Sequence, residues 1–330
     1  FYLPKLEHYL ECRLLNDVIS FCEKKLNLEI GTVKVTVLIE TINAVFQMDE
    51  FLWELKDHIV GLNAGRWDYL FSYQKVYRNT QKVILPDRSK VNMFVPFMSN
   101  YNKLLVDTCH KRGAFGMGGM SAQVIAKANP KEVNEKALAG VKKDKERELN
   151  QFNDGAWVAH PSLVQPVKNI FEKNFKGPNQ LNKFNNVKIS RRDLLDEPII
   201  DNAITELGIR ENLNEGIEYM AFWTIGTGCC VVNYLMADAA TCEVSRAQLW
   251  VWLKYKVKLD DGRIVDEKLI DQLIEDELNK IKKRFAAWIE RTGDKSLEHV
   301  SFENAARTFK DMITKENFDD FLTLPLYEKV

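Results

Sequence analysis

The sequence predicts an α/β protein whose first half forms a parallel β-sheet and whose second half is helical. Up to about residue 165, short apolar segments alternate with longer amphipathic ones, which is the pattern of successive βαβ units. Beyond Ser190, apolar residues recur at helical spacing throughout. We therefore expect a sheet domain over residues 1–190 and a helical domain over residues 191–330.

The individual elements follow from the same patterns. Apolar runs predict strands at Phe1–Leu3, Val33–Ile39, Gly61–Asn63, Val91–Phe97 and Ala156–Ala159. Amphipathic spacing predicts helices at Leu6–Lys25, Met48–Asp57, Asn100–Arg112, Asp201–Thr224, Val244–Lys254, Asp266–Ala287 and Phe302–Thr314. The lysine-rich segment Asn129–Gln151 is interpreted as a surface helix that packs weakly, and Asn174–Asn186 as a loop. Periodicity does not decide whether the sheet is open or closed.

Composition disfavours several classes of function. The 46 basic and 47 acidic side chains leave a net charge of −1, which argues against binding nucleic acid or an acidic membrane through bulk charge. No apolar run approaches the roughly 18 residues that span a bilayer. The six cysteines include no CxxC pair, so we expect neither disulfides nor a zinc site. Phe1–Pro4 already has the character of a buried strand, which predicts a piece of a longer protein. The oligomeric state is left open, and a homo-oligomer is compatible with the sequence.

Two carboxylates follow predicted strands. Glu40 is the first residue after the run Val33–Ile39, and Asp68 comes shortly after Gly61–Asn63. The carboxyl ends of parallel strands carry the active sites of α/β proteins, and two carboxylates there can share one Mg²⁺ ion. The simpler alternative is that Glu40 or Asp68 only caps the helix that follows it.

Asp238 is the third candidate carboxylate. It lies between the apolar Leu235–Ala237 and the small residues Ala239 and Ala240, a setting that raises the pKa of a carboxyl group by desolvation. A base tuned in this way can take a proton from carbon. Spacing alone favours the alternative that Asp238 is the N-cap of the helix beginning at Ala239.

Two weaker signals complete the search. The glycine-rich segment Gly113–Met120 has the composition of a loop that cradles phosphate, but it matches neither the dinucleotide fingerprint nor the Walker motif. The five histidines form no HxxxH pair, which disfavours zinc chemistry. His160 lies at a predicted strand end, where a structural histidine is the favoured interpretation.

Six motifs spread over nearly the whole chain occur together, in this order, in one known family. They are Val37–Thr41, Gly61–Tyr69, Ala114–Met120, Asp154–Pro161, Leu207–Asn212 and Asp238–Gln248. Together they closely resemble the A-type malate synthases. The resemblance implies a (β/α)₈ TIM barrel, here with its first strand missing, followed by a helical C-terminal domain that closes over the barrel mouth.

The resemblance also implies a reaction and a set of residues. Malate synthases condense acetyl-CoA with glyoxylate and hydrolyse the thioester, giving malate and CoA. The family pattern assigns Mg²⁺ to Glu40 and Asp68 and the catalytic acid/base to Asp238. Backbone N–H groups around Gly65, Trp67 and Asp68 are expected to hold glyoxylate. Peroxisomes or glyoxysomes are the compartment implied, with mitochondrion or cytoplasm as alternatives.

The sequence departs from the family pattern in three places. The family carries a catalytic Arg in an Arg-Pro-Arg-Gly-Trp stretch that this sequence lacks. Ala237 stands where the family has Glu, and Ala64 stands where it has Cys. The last residues, Tyr327–Val330, do not form a peroxisomal tripeptide.

Two other functions stay open from the sequence. Leu3–Glu7 and Leu38–Thr41 also resemble the Mg²⁺-dependent acyl-CoA lyases of the citrate lyase β and malyl-CoA lyase superfamily. A non-catalytic domain kept for partner binding is the second alternative. Because some family members are fused to an isocitrate lyase, a bifunctional parent is a further expectation.

Overall fold

The computed structural model describes residues 1–81, 84–195, 199–293 and 297–329. The chain divides into two compact units, Phe1–Ser72 with Met93–Pro198 and Tyr73–Asn92 with Ile199–Val330. None of the helices in the described ranges is long and apolar enough to cross a membrane.

The first unit is built on a parallel sheet of five strands. They are β1 (Tyr2–Leu3), β2 (Val35–Ile39), β3 (Ile59–Ala64), β4 (Phe115–Ser121) and β5 (Gly155–Val158). Each strand pairs in parallel with the next one along the chain, in the order β1-β2-β3-β4-β5. All five residues of β2 are buried, as expected for a parallel sheet covered on both faces. The predicted parallel α/β arrangement is confirmed.

The sheet is strongly curved. Tyr2 on the first strand stacks on Trp157 of the last strand, with 5.1 Å between the ring centroids. Side chains of the two edge strands meet in this way only if the sheet curls round on itself, as barrel strands do.

Helices connect and follow the strands of the first unit. They are α1 (Tyr9–Lys25), α2 (Met48–Glu54), α3 (Arg66–Tyr77), which continues into the second unit, α4 (Pro96–Lys111), α5 (Lys131–Asn150), α6 (Val164–Asn174) and α7 (Arg191–Leu195), with short 3₁₀ turns at Ala44–Phe46 and Pro161–Leu163. The start of α1 is fixed by a capping box in which His8 accepts from the helix backbone and the Glu11 side chain reaches back.

Two of the predicted elements are wrong. Val91–Phe97 forms no strand, because Pro96 occupies the first turn of α4 and the residues before it form a turn that leads into that helix. Gly113–Met120 is not a phosphate loop: most of it is β4, paired on both sides. Its glycines are needed for close packing, since a Cβ at Gly116 would lie 3.0 Å from a methyl of Val106.

Helix α5 packs more deeply than its composition predicts. Lys145 and Glu148 are both fully buried, 2.8 Å apart, and the Lys145 ammonium also donates to the Gly119 carbonyl at 2.8 Å. Burial raises the pKa of the Glu148 carboxyl to about 7, against the opposing effect of Lys145. Charged side chains near the end of this helix therefore pack against β4, while most of its other polar residues stay exposed.

The second unit is mainly helical around one large apolar core. Its helices are α8 (Glu206–Trp223), α9 (Ala239–Lys254), α10 (Glu267–Thr292), α11 (Phe302–Thr314) and α12 (Thr323–Leu326), followed by a 3₁₀ turn at Tyr327–Lys329. The expectation of helix throughout misses the hairpin formed by β6 (Cys230–Val232) and β7 (Leu235–Ala237) and an antiparallel bridge between Lys258 and Ile264. Its two-residue turn places Asn233 and Tyr234 at positive φ, the geometry of a type I′ turn without the usual glycine.

Residues 84–92 are held within the second unit by partners far along the chain. The carbonyl of Leu85 accepts from the Trp252 indole at 3.0 Å, a sequence separation of 167. The Asp87 carboxylate accepts from the backbone N–H of Thr205 and from its hydroxyl, both at 2.9 Å. This segment therefore reaches its native contacts only when α8 and α9 are present.

A buried ion pair fastens β4 to β5 in the first unit. The Asp154 carboxylate accepts from the N–H of Gly116 at 2.9 Å and of Gln180 at 2.7 Å, and lies 2.8 Å from Nε2 of His110. Burial alone lowers the pKa of His110, but the contacts with Asp154 and the Lys183 carbonyl outweigh it and raise the pKa above 6.5. The folded protein therefore favours protonated His110.

We expect the stabilisation by His110 to fade as pH rises. The stabilisation is fully present below pH 6.5, which is the ordinary pKa of histidine. It is lost as the pH rises through the higher pKa of His110 in the folded protein. Urea unfolding should show wild type about 1–2 kcal/mol more stable than His110→Gln near pH 6, with a smaller difference at higher pH. His299→Gln, at an exposed histidine, is the control. A difference that grows with pH would contradict this assignment.

Candidate active site

Glu40 and Asp68 are brought together by the register of two paired strands. Glu40 directly follows β2, and Asp68 lies in the first turn of α3, just after β3, with Ile39 aligned on Ala64. Glu40 is 2% exposed, while the Asp68 side chain keeps 14% of its surface. Asp68 thus lies one helical turn beyond the end of β3, and its carboxyl group interacts with that of Glu40.

The two carboxyl groups share a crowded, weakly solvated site. Burial raises the pKa of Glu40 to about 8, the negative charge of Asp68 adds to the rise, and Lys5 opposes it. Buried like charges this close carry a cost that a bound cation removes. The site is therefore chemically suited to a hard cation.

Lys5 is the cationic neighbour of this pair, and the sequence analysis gave it no role. Its backbone N–H donates to Oε1 of Glu40 at 2.6 Å, and its ammonium donates to Oδ2 of Asp68 at 2.8 Å. Lys5 stands just beyond β1, so the strand-end rule used for Glu40 also predicts a site position for it. The sequence does not show that β1 pairs with β2, and this pairing brings Lys5 to the two carboxylates.

Gly65 supports the carboxylate of Glu40 from the side. A Cβ built on Gly65 would lie 2.6 Å from the Cβ of Glu40 and 2.8 Å from its Oε2. The Gly65 N–H donates to the hydroxyl of Tyr101 at 3.0 Å, and that hydroxyl donates to the Ile39 carbonyl. Tyr101 is fully buried and stacks on Tyr69 at 4.3 Å. Tyr101 thus fixes the backbone on both sides of the site and is a second residue that the sequence analysis missed.

Trp67 lies in the first turn of α3, next to Asp68. It is half-buried, and the Arg66 guanidinium lies 4.0 Å from its ring centroid. The first turn of a helix presents backbone N–H groups that favour anions. Residues 65–68 therefore combine the Asp68 carboxylate with a helix N-terminus.

Asp238 belongs to the second unit, where it is the N-cap of α9. Its carboxylate accepts from the N–H of Thr241 at 3.2 Å, and the Thr241 hydroxyl completes a capping box. The hairpin β6–β7 leads directly into this position, and Asp238 itself is half-buried. The capping interpretation is confirmed, and a carboxylate fixed in this way can also serve as a base.

Arg88 braces the start of α9. Its guanidinium donates to Ser245 Oγ at 3.0 Å and to Glu215 Oε2 at 3.2 Å, both within the second unit. The first turns of α9 are therefore tied to α8 through a charged side chain.

His160 has a structural role, the interpretation that the sequence favoured. Its Nδ1 accepts from the N–H of Ser162 at 3.2 Å and lies 2.7 Å from the hydroxyl of the same residue, capping a short 3₁₀ turn. Within the described part of the chain, no three His, Cys, Asp or Glu side chains form a ready-made metal cluster.

The curved parallel sheet of five strands, with a carboxylate pair beyond the strand ends, has the arrangement of part of a TIM barrel. The family model described as "Malate synthase, TIM barrel domain" matches residues 1–197, and "Malate synthase, C-terminal" matches residues 203–330. The chain belongs to the malate synthase family, and the predicted family and fold class are confirmed.

Individual relatives agree with this assignment. The chain is 44% identical to the glyoxysomal malate synthase of Candida tropicalis and to the malate synthase of Myxococcus xanthus, covering 58% and 59% of their lengths. It is 43% identical to a bifunctional glyoxylate cycle protein of Caenorhabditis elegans, of which it covers 33%. In each case at least 99% of this chain is matched. The chain thus spans less than two thirds of these relatives.

A solved structure shares the fold. The Haloferax volcanii malate synthase in a ternary complex with pyruvate and acetyl-CoA aligns with a TM-score of 0.54 over 88% of this chain and 68% of that one. The two sequences are 12% identical, so the likeness concerns the fold alone.

Proposed function

We propose that this protein condenses acetyl-CoA with glyoxylate and hydrolyses the thioester to malate and CoA. The observation that carries the proposal is the meeting of Glu40 and Asp68 beyond two paired parallel strands. Family membership supplies the reaction, and the site supplies groups that suit it. A lyase of the same superfamily would stop at malyl-CoA and release no free CoA.

The residues of the site fit a magnesium ion. The donors are carboxylate oxygens, which Mg²⁺ prefers, and their crowding gives a bound cation a large electrostatic advantage. Because Gly65 has no Cβ, the Glu40 side chain can occupy the space beside it. Mg²⁺ bound there would polarise the glyoxylate carbonyl as a Lewis acid. Glu40 and Asp68 are its proposed protein ligands.

The start of α3 is proposed to orient glyoxylate. The backbone N–H groups of Trp67 and Asp68 lie at the N-terminal end of this helix, where the helix dipole favours a carboxylate. The N–H of Gly65, which the sequence also placed here, donates to the Tyr101 hydroxyl, so we assign it no bond to glyoxylate. Holding the anion there positions its aldehyde carbon beside the carboxylate pair. The strands keep these groups rigid, which lowers the entropic cost of orientation.

Asp238 is proposed as the base. It would take a proton from the methyl group of acetyl-CoA, and the resulting enolate carbon would attack the aldehyde carbon of glyoxylate. The alkoxide formed takes up a proton, and water then cleaves the thioester to give a carboxylate and the CoA thiol. The fixed N-cap position of Asp238 supports this role because it holds the carboxylate in one orientation. We place the barrel in residues 1–190 and the domain that carries Asp238 in residues 191–330, although residues 73–92 belong to the second compact unit and helix α7 to the first.

Removing either metal ligand should abolish the activity. In Glu40→Gln and in Asp68→Asn we expect Mg²⁺-dependent glyoxylate binding to weaken at least ~100-fold, because one of two protein ligands is lost. Calorimetry with glyoxylate, with and without MgCl₂, measures this, and release of free CoA reports turnover. Glu50→Gln, at an exposed carboxylate, is the matched control. Wild-type glyoxylate affinity in both variants would refute the metal assignment.

Compartment and assembly are proposed by resemblance. The relatives from Candida tropicalis and Cucumis sativus are named glyoxysomal, so we propose a peroxisome or glyoxysome for this protein. The C-terminal tripeptide, which does not match a peroxisomal signal, includes Val330, and that residue lies outside the described residues. Fractionation of cells producing the protein tests the compartment, and light scattering tests a homo-oligomer.

A further inference from the structure

We propose that Lys5 is an internal counter-ion for the Glu40–Asp68 pair, and that a divalent cation must displace its ammonium group to bind. The inference rests on the proposed metal role of the two carboxylates. It concerns what the site does before the metal arrives.

Lys5 contacts both carboxylates through two different groups. Its backbone N–H donates to Oε1 of Glu40 at 2.6 Å, which ties that side chain to the end of β1. Its ammonium lies 2.8 Å from Oδ2 of Asp68 and 3.9 Å from Oε1 of Glu40. The charged group thus faces both carboxylates, where a shared cation would also have to bind.

The backbone of Lys5 is held in an uncommon conformation. Its φ is +58°, in the left-handed region that residues with a Cβ seldom adopt. Such a conformation persists only where the surrounding contacts stabilise it, and it is enriched at functional sites. Here the short hydrogen bond to Glu40 is one of those contacts.

The exposure of Lys5 allows its ammonium to leave. The Lys5 side chain is 43% exposed, whereas that of Glu40 is 3% exposed. Lysine carries a compact charge on a flexible stem, so the ammonium can move into water while the backbone N–H keeps its bond to Glu40. The carboxylates therefore stay assembled without metal, and metal binding replaces one cation by another.

This arrangement differs measurably from an ordinary surface ion pair. A surface pair contributes little, and removing it would leave the affinity of neighbouring groups for Mg²⁺ almost unchanged. A competing counter-ion weakens Mg²⁺ binding by the strength of its own interaction. Its removal should therefore tighten Mg²⁺ binding while destabilising the metal-free protein.

The test is calorimetric titration with MgCl₂ alone, together with thermal unfolding over a range of MgCl₂ concentrations. Lys5→Met should bind Mg²⁺ roughly three- to tenfold more tightly than wild type, and have a lower Tm without metal and a larger rise in Tm on adding it. Lys5→Arg, which keeps the charge, should stay within about twofold of wild type. Lys24→Met, at an exposed lysine of α1, is the control.

The outcomes separate this inference from the proposed function. If wild type binds Mg²⁺ and Lys5→Met binds it equally or more weakly, the counter-ion role is wrong and the metal site stands. If wild type gives no Mg²⁺ response, both are overturned. If Lys5→Met does not fold without metal, Lys5→Gln carries the same comparison.

Discussion

Asp238→Asn should lower turnover by about 10² to 10⁴, the contribution typical of a general acid–base group. Asparagine keeps the shape of the side chain, and its amide oxygen can still accept from the N–H of Thr241, so the cap of α9 is preserved. What it cannot do is accept a methyl proton from acetyl-CoA. Free CoA release measures the loss, and an unchanged Tm shows that the cap is intact.

A second measurement isolates the proton transfer. With pyruvate in place of glyoxylate, the methyl protons of acetyl-CoA should exchange with deuterated solvent in wild type and fail to do so in Asp238→Asn. Binding of MgCl₂ should be the same in both, since Glu40 and Asp68 are intact. Exchange at the wild-type rate in the variant would identify another base, and His160 would be the next to examine.

Gly65→Ala should disable the proposed metal site without replacing either of the proposed ligands. The added methyl would lie 2.6 Å from the Cβ of Glu40 and 2.8 Å from its Oε2, too close for either atom. The Gly65 backbone is held by Tyr101, so we expect the Glu40 side chain to be displaced. Mg²⁺ affinity measured by calorimetry should fall by roughly 100-fold, and CoA release with it.

Gly177→Ala is the matched control for this substitution. No heavy atom lies within 4 Å of a Cβ at Gly177, so the same change there should leave Mg²⁺ binding and turnover unchanged. If Gly65→Ala binds Mg²⁺ like wild type, then Glu40 is not held against Gly65 as the structure indicates, and the cradle described for it is wrong.

The elements that the sequence predicts well are those whose pattern is local. Runs such as Val35–Ile39 are apolar at every position except Thr36, and Phe302–Thr314 repeats apolar residues at helical spacing, so each is visible without knowing its neighbours. The local pattern does not identify Phe115–Ser121 as a strand, because the segment is rich in glycine, which has poor β-propensity. It is a strand because it pairs with β3 and β5, and it is rich in glycine because Val106 and Glu148 occupy the space that larger side chains would need.

Only part of the candidate site could be predicted from the sequence. Glu40 and Asp68 follow apolar runs, so the strand-end rule finds them, and the family motifs single out Asp238. Lys5 and Tyr101 reach the site through the pairing of β1 with β2 and through the packing of α4, which no local pattern reveals. The hairpin before Asp238 was missed because its turn uses Asn233 and Tyr234 without a glycine.

The long-range hydrogen bonds of residues 84–92 have a consequence for synthesis on the ribosome. The strands of the sheet pair with their successors, so the first unit can grow in the order in which it is translated. Leu85, in contrast, waits for Trp252, which is made 167 residues later. At ~5–20 residues per second that delay is roughly 10 to 30 s. During it, the apolar residues of this segment have no native partner in α9, and a chaperone that binds nascent chains has time to bind them.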